Sequence, residues 1–303
     1  MFDTLIDKLK NDTYITLETT PGHSAQFMPT IEKIAELGLA ELVDGFSTTD
    51  NPLAKLKYNA LFAAKMLQDR FHKPVIATMS MRDRNKIALQ SDLLGANEVD
   101  VRAILALTGD PATISDQPHA KGVFEADSTL LLDIISAFNS GMNYAGKPLA
   151  IAPQPIYPFA VVNSFAKNSK TLQKKIQKKI KHGALGIITQ PVYDLKNAQL
   201  LLDLRDAANA ECCPENKKAE LILGIFPITK LRTAQFLSAH VPGIHVPEDW
   251  IEKLRIANKH SVAEEYKVGF DLSKNLFEEI KVLHPKIHLM TANQFQIAKD
   301  ILV

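Results

Sequence analysis

Three side chains carry most of the chemistry this sequence offers: Glu18, Asp110 and Gln190. Glu18 follows the run Ile15-Thr-Leu17, Asp110 stands in the turn Thr108-Gly-Asp-Pro111, and Gln190 follows Ile187-Ile-Thr189. Two carboxylates facing one pocket suit acid–base work, one handling a proton while the other supplies negative charge. An exposed Glu titrates near 4.3, so an acid useful at neutral pH needs burial and a negative neighbour. Each residue alone is ordinary strand-end or turn chemistry. Gly permits φ > 0 and Asp favours turns, so Thr-Gly-Asp-Pro needs no function to explain it. Their coincidence at successive strand ends is what points to a site.

Other chemistries find less support. No Lys closes a predicted strand, which argues against a Schiff base, and no Cys or His stands there as a nucleophile. The His residues are scattered, without an HExxH motif or a Cys/His cluster. His284 and His288 are four apart, but Pro285 and a predicted strand break the helix that this spacing would need. Both read as surface or satisfied histidines.

The elements that position these residues alternate. Strands are predicted over Thr13–Glu18, Glu41–Ser47, Pro74–Met79, Val101–Leu107, Pro148–Ile156, Leu185–Thr189, Glu220–Phe226 and Lys286–Thr291. Helices are predicted at the N-terminus, over Ala25–Leu37, Leu53–Phe71, Arg84–Ala96, Ser128–Asn139, Ser169–Lys181, Leu195–Ala208 and Leu231–Ala239, and from about Asn293. Two more, about Glu248–Lys259 and Ser261–Leu283, precede the eighth strand. Strand–helix alternation means parallel β with crossover helices. Eight repeats fit an α/β fold of the (β/α)8 TIM-barrel type, one domain over 1–303, with an extra helix before the last strand. An open doubly wound sheet is the runner-up, but no GxGxxG turn occurs. In a barrel the strand C-termini carry the site. They bring Ser47 and Thr48, Thr108 and Gly109, and Tyr157 to the same face as the three residues above.

Composition excludes several classes. Lys plus Arg is 35 and Asp plus Glu is 34, so no global field would hold nucleic acid. No apolar run approaches the ~20 residues of a membrane span. The N-terminus reads as a first helix, not as a signal peptide. The only cysteines, Cys212 and Cys213, are adjacent, which rules out a disulfide framework and suggests a reducing cytoplasm.

Longer motifs add a resemblance. Leu105-Ala-Leu-Thr-Gly-Asp-Pro111, Gly183-Ala-Leu-Gly-Ile-Ile-Thr-Gln-Pro-Val-Tyr-Asp194, Met81-Arg-Asp-Arg-Asn85 with Leu89-Gln-Ser91, and Leu223-Gly-Ile-Phe-Pro-Ile-Thr229 occur in order along the chain. Together with Ile15-Thr-Leu-Glu18 ahead of Pro21 and Val241-Pro-Gly-Ile-His-Val-Pro247, they resemble the 5,10-methylenetetrahydrofolate reductases, flavin enzymes on a (β/α)8 barrel. The resemblance implies FAD as cofactor and methylenetetrahydrofolate and NAD(P)H as substrates, reacting by a ping-pong hydride transfer that yields 5-methyltetrahydrofolate. It also implies a homo-oligomer.

By the same resemblance Glu18 is the general acid for ring opening, Asp110 stabilises the iminium ion, and Gln190, Thr233 and Gln294 bind the folate. Ser47, Thr48, Thr108, Gly109, Asp110, Phe124, Asp127, Tyr157 and Lys179 fall to the flavin. The chain departs from the family pattern at Leu17-Glu-Thr-Thr-Pro21, at Ala77-Thr78 where a His is usual, at Ile156-Tyr-Pro-Phe-Ala-Val-Val162, and at Gln294 where an Arg is usual. Two alternatives stay open: a divergent reductase with another electron donor or a partner subunit, and a non-catalytic folate- or flavin-binding barrel.

Overall fold

The computed structural model describes residues 1–212 and 218–303; Cys213 lies outside the described residues. Eight parallel strands close into one barrel in chain order. They are β1 (Tyr14–Thr19), β2 (Gly45–Thr48), β3 (Val75–Ser80), β4 (Ala103–Leu107), β5 (Tyr157–Val162), β6 (Gly186–Pro191), β7 (Glu220–Ile225) and β8 (Lys286–Leu289). The helices are α1 (Phe2–Asn11), α2 (Met28–Glu36), α3 (Ala60–Phe71), α4 (Lys86–Glu98), α5 (Thr129–Asn139), α6 (Ser169–Lys181) and α7 (Leu195–Cys212). α8 (Leu231–His240), α9 (Glu248–His260) and α10 (Val262–Leu283) all precede β8, and α11 (Phe295–Leu302) follows it. The fold is therefore the (β/α)8 barrel that the alternation predicts. No helix among the described residues is long and apolar enough to cross a membrane.

Side-chain alternation divides each strand between the barrel interior and the helical shell. Leu17, Phe46, Ala77 and Ile104 join the outer core with helix residues such as Leu172, Ile176 and Ile180 of α6. Ile76, Leu105, Phe159, Ile188 and Ile222 fill the interior. α1 plugs the base, burying Phe2, Leu5 and Leu9 against that interior cluster.

Three predicted elements shift. The largest correction is strand five, expected over Pro148–Ile156 and found over Tyr157–Val162. Pro148, Pro153 and Pro155 lack the N–H that a barrel-interior ladder needs, and Ile151 is 87% exposed. Tyr157 thus opens the strand instead of ending it. The second is the helix predicted over Leu53–Phe71, which shortens to α3. Asn51, Leu53 and Ala54 have left-handed φ of 45°, 56° and 55°, and Asn59 caps the true start by accepting from the Leu61 and Phe62 N–H groups. Strand two begins at Gly45, because Leu39–Glu41 form a 3-10 turn.

The insertion before β8 supports the mouth. Gly269 lets α10 approach the β7 end closely; a Cβ there would lie 2.4 Å from the Ile228 carbonyl oxygen. The Ile228 N–H donates to Ser273 Oγ at 3.0 Å, and the Leu231 N–H donates to Glu265 Oε1 at 2.8 Å. The loop after β7 is therefore fixed by α10.

Candidate active site

The strand C-termini open into a cavity of about 530 Å³. Glu18, Asp110 and Gln190 all line it, from β1, the loop after β4, and β6. The interior parity of each strand explains the two strand residues. Thr16 and Glu18 face inward on β1, as do Ile188 and Gln190 on β6, two residues apart in each case.

His288 lies beneath Glu18. It is 2% exposed, its Nδ1 is 2.8 Å from Thr16 Oγ1, and its Nε2 is 3.8 Å from Glu18 Oε2 and 3.5 Å from Ser47 Oγ. Of the two histidines read as satisfied, His284 is only that, with Nε2 donating to the Leu221 carbonyl at 2.7 Å. His288 also faces the catalytic candidate. Strand alternation turns it inward with Met290, but nothing local in the sequence pairs it with Glu18 across the β1–β8 closure.

Asp110 sits on a turn that only glycine can build. Gly109 has φ +92°, and a Cβ there would fall 2.3 Å from Ser80 Oγ. Asp110 Oδ2 accepts the Leu53 N–H at 2.7 Å, joining the loops after β2 and β4. The Arg82-Asp-Arg84 stretch braces the neighbouring wall. Asp50 accepts from the Ser80 N–H at 2.9 Å and is paired with Arg84, which also holds Asp92 at 2.8 Å. Arg82 is held by Asp83 and donates to the Asn51 carbonyl at 3.1 Å.

A cationic rim formed by Lys175, Lys178 and Lys179 of α6 faces the start of α5. Lys178 pairs with Asp127, and Lys179 donates to Ser128 Oγ. Burial opposes the charged form of Asp127, but hydrogen bonds from Lys178 and Thr129 outweigh it and hold the carboxyl well below the usual range. Burial lowers the pKa of Lys179, with Asp127 offsetting this only in part. The start of α5 is closed by local partners: the Ser128 N–H donates to Thr108 Oγ1 at 3.2 Å and the Thr129 N–H to Asp127 Oδ1 at 2.9 Å.

The structure brings Thr108, Gly109, Asp127 and Lys179 to the same cavity as the three central residues. It takes the other candidates elsewhere. Ser47 lies below the floor beside His288. Thr48 turns outward, its hydroxyl donating to the Ala60 carbonyl at 3.0 Å. The lining hydroxyl of that strand end is Thr49, one residue further, whose Oγ1 is buried without a partner. Tyr157 is at the opposite end of the barrel, stacked on Phe2 with ring centres 5.3 Å apart. Phe124 is 37% exposed, and neither it, Thr233 nor Gln294 lines the cavity. The end of β5 that does reach the mouth is Val161-Val162-Asn163, which the misplaced strand had hidden.

Two carboxylates and a carboxamide thus meet at the mouth of a (β/α)8 barrel, the end where such barrels carry their sites. The comparisons with known proteins give the class a name. The chain matches the methylenetetrahydrofolate reductase family over residues 2–303 and belongs to it. A comparison with curated proteins returned no match. Among solved structures, an uncharacterized protein from Clostridium thermocellum that binds two copies of 5-methyl-5,6,7,8-tetrahydrofolic acid is similar at 16% identity and TM-score 0.59, covering 98% of this chain and 96% of that one. EDTA monooxygenase (EmoA) from Chelativorans sp. BNC1 is similar at 12% identity and TM-score 0.56, covering 96% and 91%. DmoA from Hyphomicrobium sulfonivorans is similar at 9% identity and TM-score 0.54, covering 95% and 85%. At these identities the likeness is one of fold.

Proposed function

We propose that the protein reduces 5,10-methylenetetrahydrofolate to 5-methyltetrahydrofolate, with NAD(P)H as donor and FAD as cofactor. The observation that carries this reading is the meeting of Glu18, Asp110 and Gln190 at one cavity, with His288 behind Glu18. Membership of the family supports it, and the folate bound by the Clostridium thermocellum protein agrees with it. We place the activity in the cytoplasm and expect a homo-oligomer.

The residues present fit a flavin dinucleotide. Lys179 is a partly desolvated ammonium at the rim, and a diphosphate beside it would favour its charged form. Lys175 and Lys178 would complete that cradle. The orphaned Thr49 hydroxyl and the backbone of Thr108-Gly109 are polar groups available to the ring system. A bound flavin would supply hydride chemistry between NAD(P)H and the methylene carbon, which no side chain here has.

The chain's own residues handle the proton and the charge. Glu18 donates a proton to the folate nitrogen that departs when the five-membered ring opens. His288, held by Thr16, keeps the Glu18 carboxyl on the cavity side. The cation left on the substrate is an iminium ion, and Asp110 faces it with negative charge. Gln190 orients the pterin. One hydride and one proton are consumed for each methyl group made. Anaerobic stopped-flow tests both halves: NAD(P)H should bleach the flavin absorbance, and methylenetetrahydrofolate should then restore it. A protein that takes up no flavin, or whose reduced flavin is not reoxidised by the folate, is not this enzyme.

A further inference from the structure

We propose that Asn163 is a second carboxamide of the substrate site and reads the same pterin ring as Gln190. The inference deepens the reductase reading and rests on it. Inward parity places the residue. On β5, Phe159 belongs to the interior cluster and Val161 lines the cavity, so Asn163 continues the inward row. On β6, Ile188 and Gln190 form the matching row. The strands pair with Val162 opposite Thr189, and the next step along both chains sets Asn163 opposite Gln190. Neighbouring strands lie about 4.8 Å apart, which puts both carboxamides within reach of one ring.

Neither carboxamide is hydrogen-bonded to another protein group among the described residues. The backbone beside Asn163 is nevertheless tightly built. Ser164 Oγ donates to the Pro191 carbonyl at 2.6 Å, and the Phe165 N–H donates to the Gly243 carbonyl at 2.9 Å. Asn197 Nδ2 donates to the Ser164 carbonyl at 2.9 Å. Gly243, at φ +87°, packs against this side chain; a Cβ there would lie 2.2 Å from Asn163 Nδ2. The side chain is thus confined by a fixed loop at the cavity wall while its polar atoms remain unpaired. Amides left open at the cavity mouth are available to pair with a ligand. Two adjacent carboxamides offer alternating N–H donors and carbonyl acceptors. The amino–lactam edge of a pterin presents the complementary alternation.

The test is calorimetric titration of 5-methyltetrahydrofolate into the purified protein and its Asn163→Ala, Asn163→Asp, Gln190→Ala and Asn163→Ala/Gln190→Ala variants. Asn163→Asp keeps the shape and removes the N–H donors, so it decides the matter if the alanine variant folds poorly. Each single change should weaken binding on the order of 10-fold. The double variant should lose less than the product of the two, because both amides grip one ring. Flavin content and the flavin absorbance spectrum should be unchanged. Wild-type affinity in both Asn163 variants, or a loss that falls on flavin binding instead, overturns the assignment. If the wild-type protein itself binds no 5-methyltetrahydrofolate, the folate reading falls first and takes this inference with it.

Discussion

Arg102 at the base of the barrel and Gln190 at its mouth show two uses of a polar side chain. Arg102 lies 4.4 Å from the centre of the Phe2 ring, donates to Asp100 at 2.7 Å and to the Pro155 carbonyl at 3.2 Å, and is covered by Tyr157. Nearby, Lys286 and Arg205 share Glu220, and Asp44 accepts both Lys8 and the Ile15 N–H. At the mouth Gln190, Asn163 and Thr49 Oγ1 have no such partners. The base is closed by the plug helix, and these charged groups are internally paired. The mouth leaves its groups for a ligand. The same barrel therefore separates stability from chemistry along its axis.

That separation can be broken from either end. Phe2→Ala removes the aromatic that seals the base, and should cost about 3 kcal/mol of stability. Urea unfolding would measure it, and the turnover of the folded fraction should be preserved. A stable variant with impaired turnover would mean that the base communicates with the site. Glu18→Gln acts at the other end. Reduction of the flavin by NAD(P)H should survive, while the folate half-reaction should fall on the order of 10²-fold, as expected for loss of a general acid. Single-turnover rates separate the two steps. Equal loss in both would mean that Glu18 shapes the cavity and donates no proton.

Asp110→Asn should be milder, slowing the folate step on the order of 10-fold while raising the flavin reduction potential, since a negative charge near the ring is lost. Spectroelectrochemistry and turnover should move together. An unchanged potential with unchanged turnover removes Asp110 from the site.

The base also has a pH signature. His284 is buried and its pKa is lowered chiefly by burial. In the unfolded chain it takes up a proton near pH 6.5. Below that pH the unfolded state binds the proton first, so stability falls as pH drops toward the lower folded pKa and then levels off. The slope is at most about 1.4 kcal/mol per pH unit. His284→Gln should remove it, as read from urea midpoints across pH 5–7 (roughly the titration range of an ordinary His). Parallel curves for the two proteins would show that other groups carry the slope.

The strand order and the barrel were legible because parallel strands buried on both faces give apolar runs, and the crossover helices give apolar stripes such as Leu172, Ile176 and Ile180. Glu18, Asp110 and Gln190 were legible because they directly follow such runs or stand in a marked turn. Thr49, Asn163 and His288 were not. Thr49 was displaced by one residue, and one residue reverses the face of a strand. Asn163 is hidden because the apolar stretch around Leu149 and Ile151 imitates a fifth strand ahead of Tyr157, whereas the strand spans Tyr157–Val162. Three prolines there argued otherwise. His288 needed a contact between β1 and β8, which are 271 residues apart at the Thr16–Ile287 contact, and local pattern carries no such information.

Two orphaned hydroxyls give the smallest and sharpest test. Tyr14 Oη at the base and Thr49 Oγ1 at the mouth are both buried without a partner. Tyr14 is fully buried, beside a base cavity of about 300 Å³, and burial together with the charge of Asp44 pushes its pKa well up. If the base serves stability alone, the hydroxyl is a cost, and Tyr14→Phe should be neutral or stabilise by up to about 1 kcal/mol. Thr49→Val keeps shape and likewise removes one hydroxyl. It should be as harmless to stability, but should weaken flavin or folate binding by about 3- to 10-fold, the worth of one hydrogen bond to a ligand. Denaturation midpoints and ligand titrations on the same pair of variants decide the point. A destabilised Tyr14→Phe would mean that the base cavity holds a partner for its hydroxyl. A Thr49→Val variant with unaltered ligand affinity would leave the mouth hydroxyl as idle as the base one, and the contrast between the two ends would then rest on the charged groups and carboxamides alone.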